Sequence, residues 1–326
     1  MNNSKMVFEM LNIIIDTDLG YDCDDGGALI IANKLHKKNK INVLAITHCV
    51  NSIEGAMAIK KINDYYGNSD IPIGLSDNYA FDVNNLYEEI FINFKHHDDF
   101  IGYVEKPSFY KLLRSSFDDL SNGKENFPVS CLQIVESLSK VEDNSAILVC
   151  IGQLNTFANL IKYNHALLKK KLKKAVVMCG NFCQEGDYFD DGETFWPGEF
   201  NVIMDLNSSK TVINDSEIPI DFIDYNQGVD ILTGDGLKGQ EDNPIYKMYE
   251  IHGKGKECSS WDPIAVLYAT ELYNDNFEFS PTGRVMVDDR GKTSFLIGEG
   301  VHRLVSIKDN RKQNIKNIIN DFFKNF

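Results

Sequence analysis

The sequence has no hydrophobic run of about 18 residues, so no segment is expected to span a membrane. It also has no excess of positive charge. Its 33 lysines and arginines face 48 aspartates and glutamates, for a formal net charge of -15. Phosphate backbones repel a chain this acidic, which argues against a nucleic-acid partner. The opening MNNSKMVFEMLNIIID lacks a basic region followed by an apolar segment and a small-residue cleavage site. It reads as the entry to a first strand rather than as a signal peptide. The seven cysteines show no disulfide-like spacing, and most sit in apolar runs such as AILVCIG and AVVMCG. Buried reduced thiols and a cytoplasmic location follow from that. Cys179 and Cys183 are four apart, but no second pair or nearby histidine completes a zinc site. No repeat, low-complexity tract or Pro/Ser-rich linker divides the chain, so one domain is expected over 1–326.

Hydrophobic residues make up 43% and charged residues 25%, enough apolar material for a sizeable core. Apolar, β-branched runs recur at MLNIIID, INVLAITHC, SAILVCIG, KAVVMCG and IPIDFID. Between several of them lie helix-like stretches: GALIIANKLHKK, SIEGAMAIKKINDYYG and NTFANLIKYNHALLKKKLK. That alternation predicts the α/β class, a single open, mostly parallel twisted sheet with helices on both faces. The segment 76–128 is polar and aromatic and fits neither pattern, as an insertion or lid near a site would. The runs KLHKKNK and LLKKKLKK are solvated helix ends.

The most demanding stretch is NIIIDTDLGYDCDDGGALIIANKL, residues 12–35. Asp16, Asp18, Asp22, Asp24 and Asp25 crowd together with no lysine or arginine among them. In a sheet of this kind ligands bind beyond the carboxyl ends of the strands, where this loop falls. One aspartate at a helix start is often only a cap, worth about 1 kcal/mol. Five together repel one another unless a cation is present. Oxygen donors without histidine or thiolate suit Ca²⁺ or Mg²⁺. An EF-hand loop starting at Asp22 would put Asn33, not glutamate, at its twelfth position, and it would need a helix where a strand is expected. A D-x-D phosphatase, with Asp16 as nucleophile and Asp18 as acid, fits the same fold. It is weighed by whether the rest of the chain supplies a second acidic metal ligand.

The opening stretch resembles the D-T-D-P-G-x-D-D-A-x-A-L signature of the nucleoside hydrolases, the inosine–uridine-preferring family. The likeness continues in order through LAITHCVNSIEGA, LVCIGQLNTFANL, AVVMCGNF, GEFNVIMDLNSSKTVI and SSWDPIAVLYA, spanning roughly residues 12–270. It implies a nucleoside hydrolase-like fold with a Rossmann-like core, a bound Ca²⁺, a small nucleoside as substrate, and a dimer or tetramer. Position by position it implies that Asp18 binds calcium and acts as base toward water. Asp25 and Asp262 would ligate the metal, and Asn155 would do so through its backbone carbonyl. Asp24, Asn51, Asn181, Glu199, Asn201 and Asp262 would contact the sugar. Asp22 is a further possible ligand, because Tyr21-Asp22-Cys23 occupies a place where the signature has one residue. Leu19 and Gln153 each replace a proline, with no expected effect on the chemistry.

Trp261 is the largest departure. Many relatives have a histidine there that protonates the departing base, and an indole is no acid near neutral pH. The tryptophan resembles the purine-preferring branch, in which aromatic rings sandwich the base; that resemblance implies stacking that raises the basicity of a purine ring nitrogen and lets solvent protonate it, and packing beside the site is the plain alternative. His48 ends the second expected strand and is a candidate acid, although a structural histidine is commoner. His96 and His97 sit in the 76–128 segment, while His252 and His302 have no supporting context. Phe195 and Trp196 could wall the sugar or simply pack. Three functions remain in view. The first is Ca²⁺-dependent hydrolysis of ribonucleosides in purine salvage, the second a calcium protein that binds a nucleoside or ribose without efficient catalysis, and the third a phosphatase.

Overall fold

The structure, a computed structural model, describes residues 10–77, 106–118, 120, 125–183, 189–190, 195–196 and 198–324. Most of the 76–128 segment, including His96 and His97, lies outside them, as do the side chains of Phe195 and Trp196.

Each of the five apolar runs is a strand. They form β1 (Leu11–Thr17), β2 (Ile41–His48), β4 (Ala146–Cys150), β5 (Leu172–Met178) and β8 (Ile220–Ile223), with a short β3 (Ile73–Leu75) after β2. A separate antiparallel pair, β6 (Phe189–Asp190) and β7 (Phe195–Trp196), lies between β5 and β8 in sequence. The C-terminal part adds β9 (Phe277–Phe279), β10 (Gly283–Val287), β11 (Thr293–Ile297) and β12 (His302–Ile307). The main sheet has ten strands in the order β11-β10-β12-β8-β5-β4-β1-β2-β3, with β9 also pairing to β12. From β12 to β3 every pairing is parallel; β10 runs antiparallel to β11 and β12, and β9 antiparallel to β12.

Strand β1 is the pivot. After it the chain moves outward to β2 and β3, then returns to place β4 on the opposite side of β1. The connections leaving β1 and β4 therefore diverge, opening a crevice at their carboxyl ends.

Both sheet faces are covered. Ile13 and Ile15 of β1, Ile147 and Val149 of β4, and Val176 of β5 enter one buried cluster. Ile14, Leu148 and Val177, pointing the other way, enter a second. This two-sided burial is why the strands read as continuous apolar runs instead of alternating ones. On the first face lie α1 (Asp24–Lys37), α2 (Ile53–Tyr65), α3 (Lys106–Ser116), α9 (Pro244–His252), α10 (Asp262–Ala269) and α11 (Lys312–Phe323). On the second lie α4 (Ser130–Ser139), α5 (Asn155–Lys171), α6 (Phe200–Ile203) and α7 (Leu206–Asp215). A single turn, α8 (Tyr225–Gly228), follows β8.

Helix α1 is buried from Asp24 through Leu35, with α9, α10 and α11 packed around it. Gly27 makes that close packing feasible. A Cβ there would stand 2.5 Å from the Tyr249 hydroxyl and 2.8 Å from Phe323. Glycine in a helix costs about 0.5–1 kcal/mol relative to alanine, and here the cost is offset by close approach at the start of α1.

At the far edge of α10, Asp221 of β8 accepts two 2.8 Å hydrogen bonds from the Arg303 guanidinium and one of 2.6 Å from the Tyr268 hydroxyl. Lys174 of β5 stands 3.0 Å from the same carboxylate. Burial alone would raise the Asp221 carboxyl, but Arg303, Lys174 and Tyr268 outweigh it and hold it below the ordinary range. The group ties β5, β8 and β12 to α10 and so fixes the helix on which Asp262 is carried. Asp221→Ala strips the buried Lys174 ammonium of its nearer carboxylate and leaves it only Glu271 at 3.6 Å, a loss of about 3 kcal/mol. Urea unfolding should show that loss as a lower midpoint; a change below about 1 kcal/mol would contradict the role given to this network.

Candidate functional site

Strand geometry decides which aspartates can meet. Along β1 successive side chains face opposite sides of the sheet, so Asp16 follows Ile14 and Thr17 follows Ile15. Asp16 therefore turns away from α1 and accepts a hydrogen bond from the Thr47 hydroxyl. Its second oxygen is buried with no hydrogen-bond partner, and burial pushes its carboxyl up to about 7 despite the opposing pull of Thr47 and Thr156. Thr17 faces α1, where its hydroxyl donates to the Asp25 carboxylate and accepts from the Leu19 amide at 3.2 Å.

Beyond β1 the loop delivers Asp22, Asp24 and Asp25 to the start of α1, and the start of α10 brings Asp262 to meet them. One carboxylate oxygen from each of these four residues lies within 4.8 Å of all the others. Asp24, Asp25 and Asp262 are buried and Asp22 is partly exposed. Burial first, and then the neighbouring carboxylates, pushes Asp24, Asp25 and Asp262 well above the usual carboxylate range. Asp24 has a structural duty as well. Its Oδ2 accepts from the amides of Trp261 at 2.8 Å and Asp262 at 3.0 Å, capping α10 across 238 residues of sequence. Two helices thus begin at the cluster, and their positive ends offset part of its negative charge.

Asp18 stands beside this group without belonging to the four. Burial raises its carboxyl well above the usual value, followed by the charges of Asp25 and Asp22 and, more weakly, Glu199. Gly152, just past β4, leaves it room: a Cβ there would lie 2.8 Å from the Asp18 carboxyl carbon. Asp18 therefore occupies the crevice between β1 and β4.

A second set sits past the end of β5. Glu199 caps α6, accepting from the Gly180 amide at 2.8 Å and the Asn201 amide at 3.0 Å. Burial pushes it up to about 7 against those hydrogen bonds. Asn201 donates from its side chain to the Met178 carbonyl at 3.0 Å. Asn181 accepts from the amide of Cys183 at 3.1 Å and from the side chain of Asn226 at 2.9 Å.

The remaining candidates are placed as follows. Asn155 opens α5, and its side-chain amide donates to the Cys49 carbonyl at 2.8 Å and to Ser76 at 3.2 Å, while its side-chain oxygen has no partner. Asn51 donates to the Asp77 carbonyl at 3.4 Å. His48 is buried with one ring nitrogen 2.7 Å from the Val50 carbonyl and the other 3.2 Å from that of Leu19, and burial lowers its pKa. The Trp261 indole N–H donates to the Tyr225 carbonyl at 2.8 Å, and the two rings lie 5.4 Å apart at 31°. Sequence reasoning passed over Thr17 and Tyr225. Thr17 was readable in principle, since a residue between two aspartates at a strand end must face the helix that follows. Tyr225 carries no local signal.

Four carboxylate oxygens, no nitrogen or sulfur donor among the described residues, and a buried Asp22 oxygen with no hydrogen-bond partner there suit a hard divalent cation. Oxygens on opposite sides of Ca²⁺ are about 4.6–5.2 Å apart, a span compatible with this cluster.

A family model described as inosine-uridine preferring nucleoside hydrolase matches residues 13–321. Among solved structures, a plant nucleoside hydrolase is 17% identical with a TM-score of 0.69, over 96% of this chain and 99% of the other. A purine-preferring ribonucleoside hydrolase from Gardnerella vaginalis is 21% identical with a TM-score of 0.63, over 96% and 99%. An inosine-uridine preferring nucleoside hydrolase from Bacillus anthracis is 15% identical with a TM-score of 0.62, over 96% and 100%. At these identities the likeness to each is one of fold. No curated protein matches the sequence.

Asp262→Asn removes one of four like charges and one candidate metal ligand, so it should act in opposite directions on the two states. Without divalent cation the variant should melt higher than wild type, by roughly 1 kcal/mol of relieved repulsion. Calcium affinity by titration calorimetry should fall at least about tenfold. A metal-free variant less stable than wild type, or an unchanged affinity, would contradict the cluster's reading as a cation site.

Proposed function

This chain belongs to the inosine-uridine preferring nucleoside hydrolase family, and we propose that it hydrolyses purine ribonucleosides to base and ribose with Ca²⁺ as its cofactor. As a member of that family it is an N-ribosyl hydrolase acting on small nucleoside substrates. The observation that carries the finer reading is the largely buried group Asp24, Asp25 and Asp262, joined by the partly exposed Asp22, beside Asp18 in the crevice between β1 and β4. Those four residues would hold the cation, with Asp18 and the Asn155 carbonyl added by the resemblance. Once bound, calcium would supply fixed positive charge to orient the 2′ and 3′ hydroxyls and a water molecule.

Cleavage of an N-glycosidic bond builds positive charge on C1′ and the ring oxygen, as in O-glycoside hydrolysis. The carboxylates around the sugar stabilise that charge. Asp18, made more basic by burial and by its acidic neighbours, takes a proton from water as the water bonds to C1′. Attack from the face opposite the base inverts the anomeric centre. Glu199 and Asn201, backed by Asn181, grip the hydroxyls on the far side of the ribose, Asn51 and Asp24 those on the near side. Trp261, stacked on Tyr225, offers a flat aromatic wall to a purine. We read the chain as one domain of a cytoplasmic homodimer or homotetramer in nucleoside salvage.

A second reading rests on one contact. Where the resemblance has a proton-donating histidine, the one polar hydrogen of the Trp261 side chain is committed to the Tyr225 carbonyl. A protein that binds nucleoside or ribose and turns it over poorly would have the same feature.

Incubating calcium-loaded protein with inosine, guanosine, adenosine, uridine and cytidine and measuring free ribose separates the two. Release from the purine nucleosides is expected; bound nucleoside without release would favour the second reading. Asp18→Asn should lower turnover about 100- to 10,000-fold while ribose still binds by calorimetry, and retained turnover would remove Asp18 as the base. Trp261→Ala should cost purine substrates more than pyrimidines, by about 1–3 kcal/mol in kcat/KM for lost stacking. Equal losses would count against stacking.

A further inference from the structure

We infer that His252 is the acid that protonates the departing base. The inference rests on the hydrolase reading above and identifies the one role that reading leaves unfilled. A purine or pyrimidine leaves poorly as an anion, so the nitrogen losing its bond to C1′ requires a proton delivered to the ring. The indole of Trp261 cannot deliver it, because it is not acidic near neutrality and its N–H is spent on Tyr225.

A cavity of 230 Å³ opens beside the carboxylate cluster, bounded by Asp22, Asp24, Trp261, Glu257 and His252. Its volume suits a nucleobase. It runs from the loop that carries Asp22 and Asp24 to Trp261, the residue that the hydrolase reading sets against the base. Among the described residues no lysine or arginine lines it, and His252 is the one side chain of that lining able to carry positive charge. Carboxylate residues line the same cavity from two segments: Asp22 and Asp24 at the entry to α1, and Glu257 before α10. Glu257 is itself paired with Lys316 of α11 at 2.7 Å, and its other oxygen is buried without a partner.

The scaffold under His252 is fixed. It is the last residue of α9, a helix that starts with Asn243 capping the Ile245 amide at 3.1 Å and continues through Pro244. The turn after it closes through the Gly253 amide on the Tyr249 carbonyl at 2.9 Å and the Gly255 amide on the Glu250 carbonyl at 3.1 Å. Cys258, five residues on from Gly253, is bridged to Thr233 in both directions at 2.8 Å. His252 thus projects from an anchored helix end, exposed enough to exchange protons with solvent.

The other described histidines are occupied elsewhere. Both ring nitrogens of His48 face backbone carbonyls. His36 accepts from the Val43 amide, and His302 accepts from the Val285 amide on β10. His165 lies on α5, on the opposite face of the sheet.

The step balances as follows. The C1′–N bond breaks and its electron pair passes to the base. His252 gives its proton to a ring nitrogen of that base, the water oxygen bonds to C1′, and Asp18 takes the water's proton. Asp18 then releases a proton to solvent and His252 regains one, so nucleoside and water become base and ribose.

The test compares two leaving groups. A nucleoside needs a protonated base, whereas 4-nitrophenyl β-D-ribofuranoside loses nitrophenolate without any acid. His252→Ala and the similarly sized His252→Gln should each lower kcat on inosine and guanosine about 100- to 10,000-fold. Both variants should stay within about threefold of wild type on the nitrophenyl riboside, because its cleavage bypasses the acid. Equal losses on both substrates, or no loss on nucleosides, would overturn the assignment while leaving the hydrolase reading intact. A wild-type protein that cleaves neither substrate would overturn the hydrolase reading first, and this inference with it.

Discussion

Four carboxylates forced within reach of one another are the constraint around which this molecule is arranged. Asp22, Asp24, Asp25 and Asp262 come from the front and the rear of the chain. Left alone, burial and mutual repulsion drive the three buried members toward their neutral forms. The fold supplies two partial remedies. Helices α1 and α10 both begin at the cluster, and Thr17 and the amides of Trp261 and Asp262 donate hydrogen bonds into it. Neither remedy supplies a full positive charge. A hard divalent cation would, and under the proposed function the same oxygens would then serve to hold a sugar diol.

The rest of the architecture serves that convergence. The return of β4 to the free side of β1 opens the crevice that Asp18 enters. The absence of side chains at Gly27 and Gly152 keeps α9, α11 and Asp18 close. The buried group around Asp221 locks α10 to three strands, so Asp262 and Trp261 are delivered by a helix that cannot drift. Asp24 acts in both worlds, capping α10 through Oδ2 and offering a carboxylate oxygen to the cluster.

Much of the sheet could be read directly from the chain. Strands buried on both faces are continuous apolar runs, and MLNIIID, INVLAITHC, SAILVCIG, KAVVMCG and IPIDFID are all of that kind. The C-terminal strands β9 to β12 were not foreseen. They include antiparallel and partly exposed strands, as in β10 with its alternating pattern, and carry a weaker apolar signal. Of the site, the crowding of aspartates after β1 was visible because like charges without a counterion demand an explanation. Their partition was not. Asp16 looks equivalent to its neighbours in sequence, yet a two-residue strand period turns it to the opposite face, toward Thr47. Asp22 joins the four through the course of a loop. The role inferred for His252 depends on α9 packing beside α1, a contact between segments more than 200 residues apart that no local pattern encodes.

The most direct measurement is a crystal structure of the protein grown with calcium and read by anomalous scattering. The account predicts one strong calcium peak within about 2.3–2.6 Å of oxygens from Asp22, Asp24, Asp25 and Asp262. A map in which calcium sits elsewhere, or in which these four side chains point apart with only water between them, would contradict it.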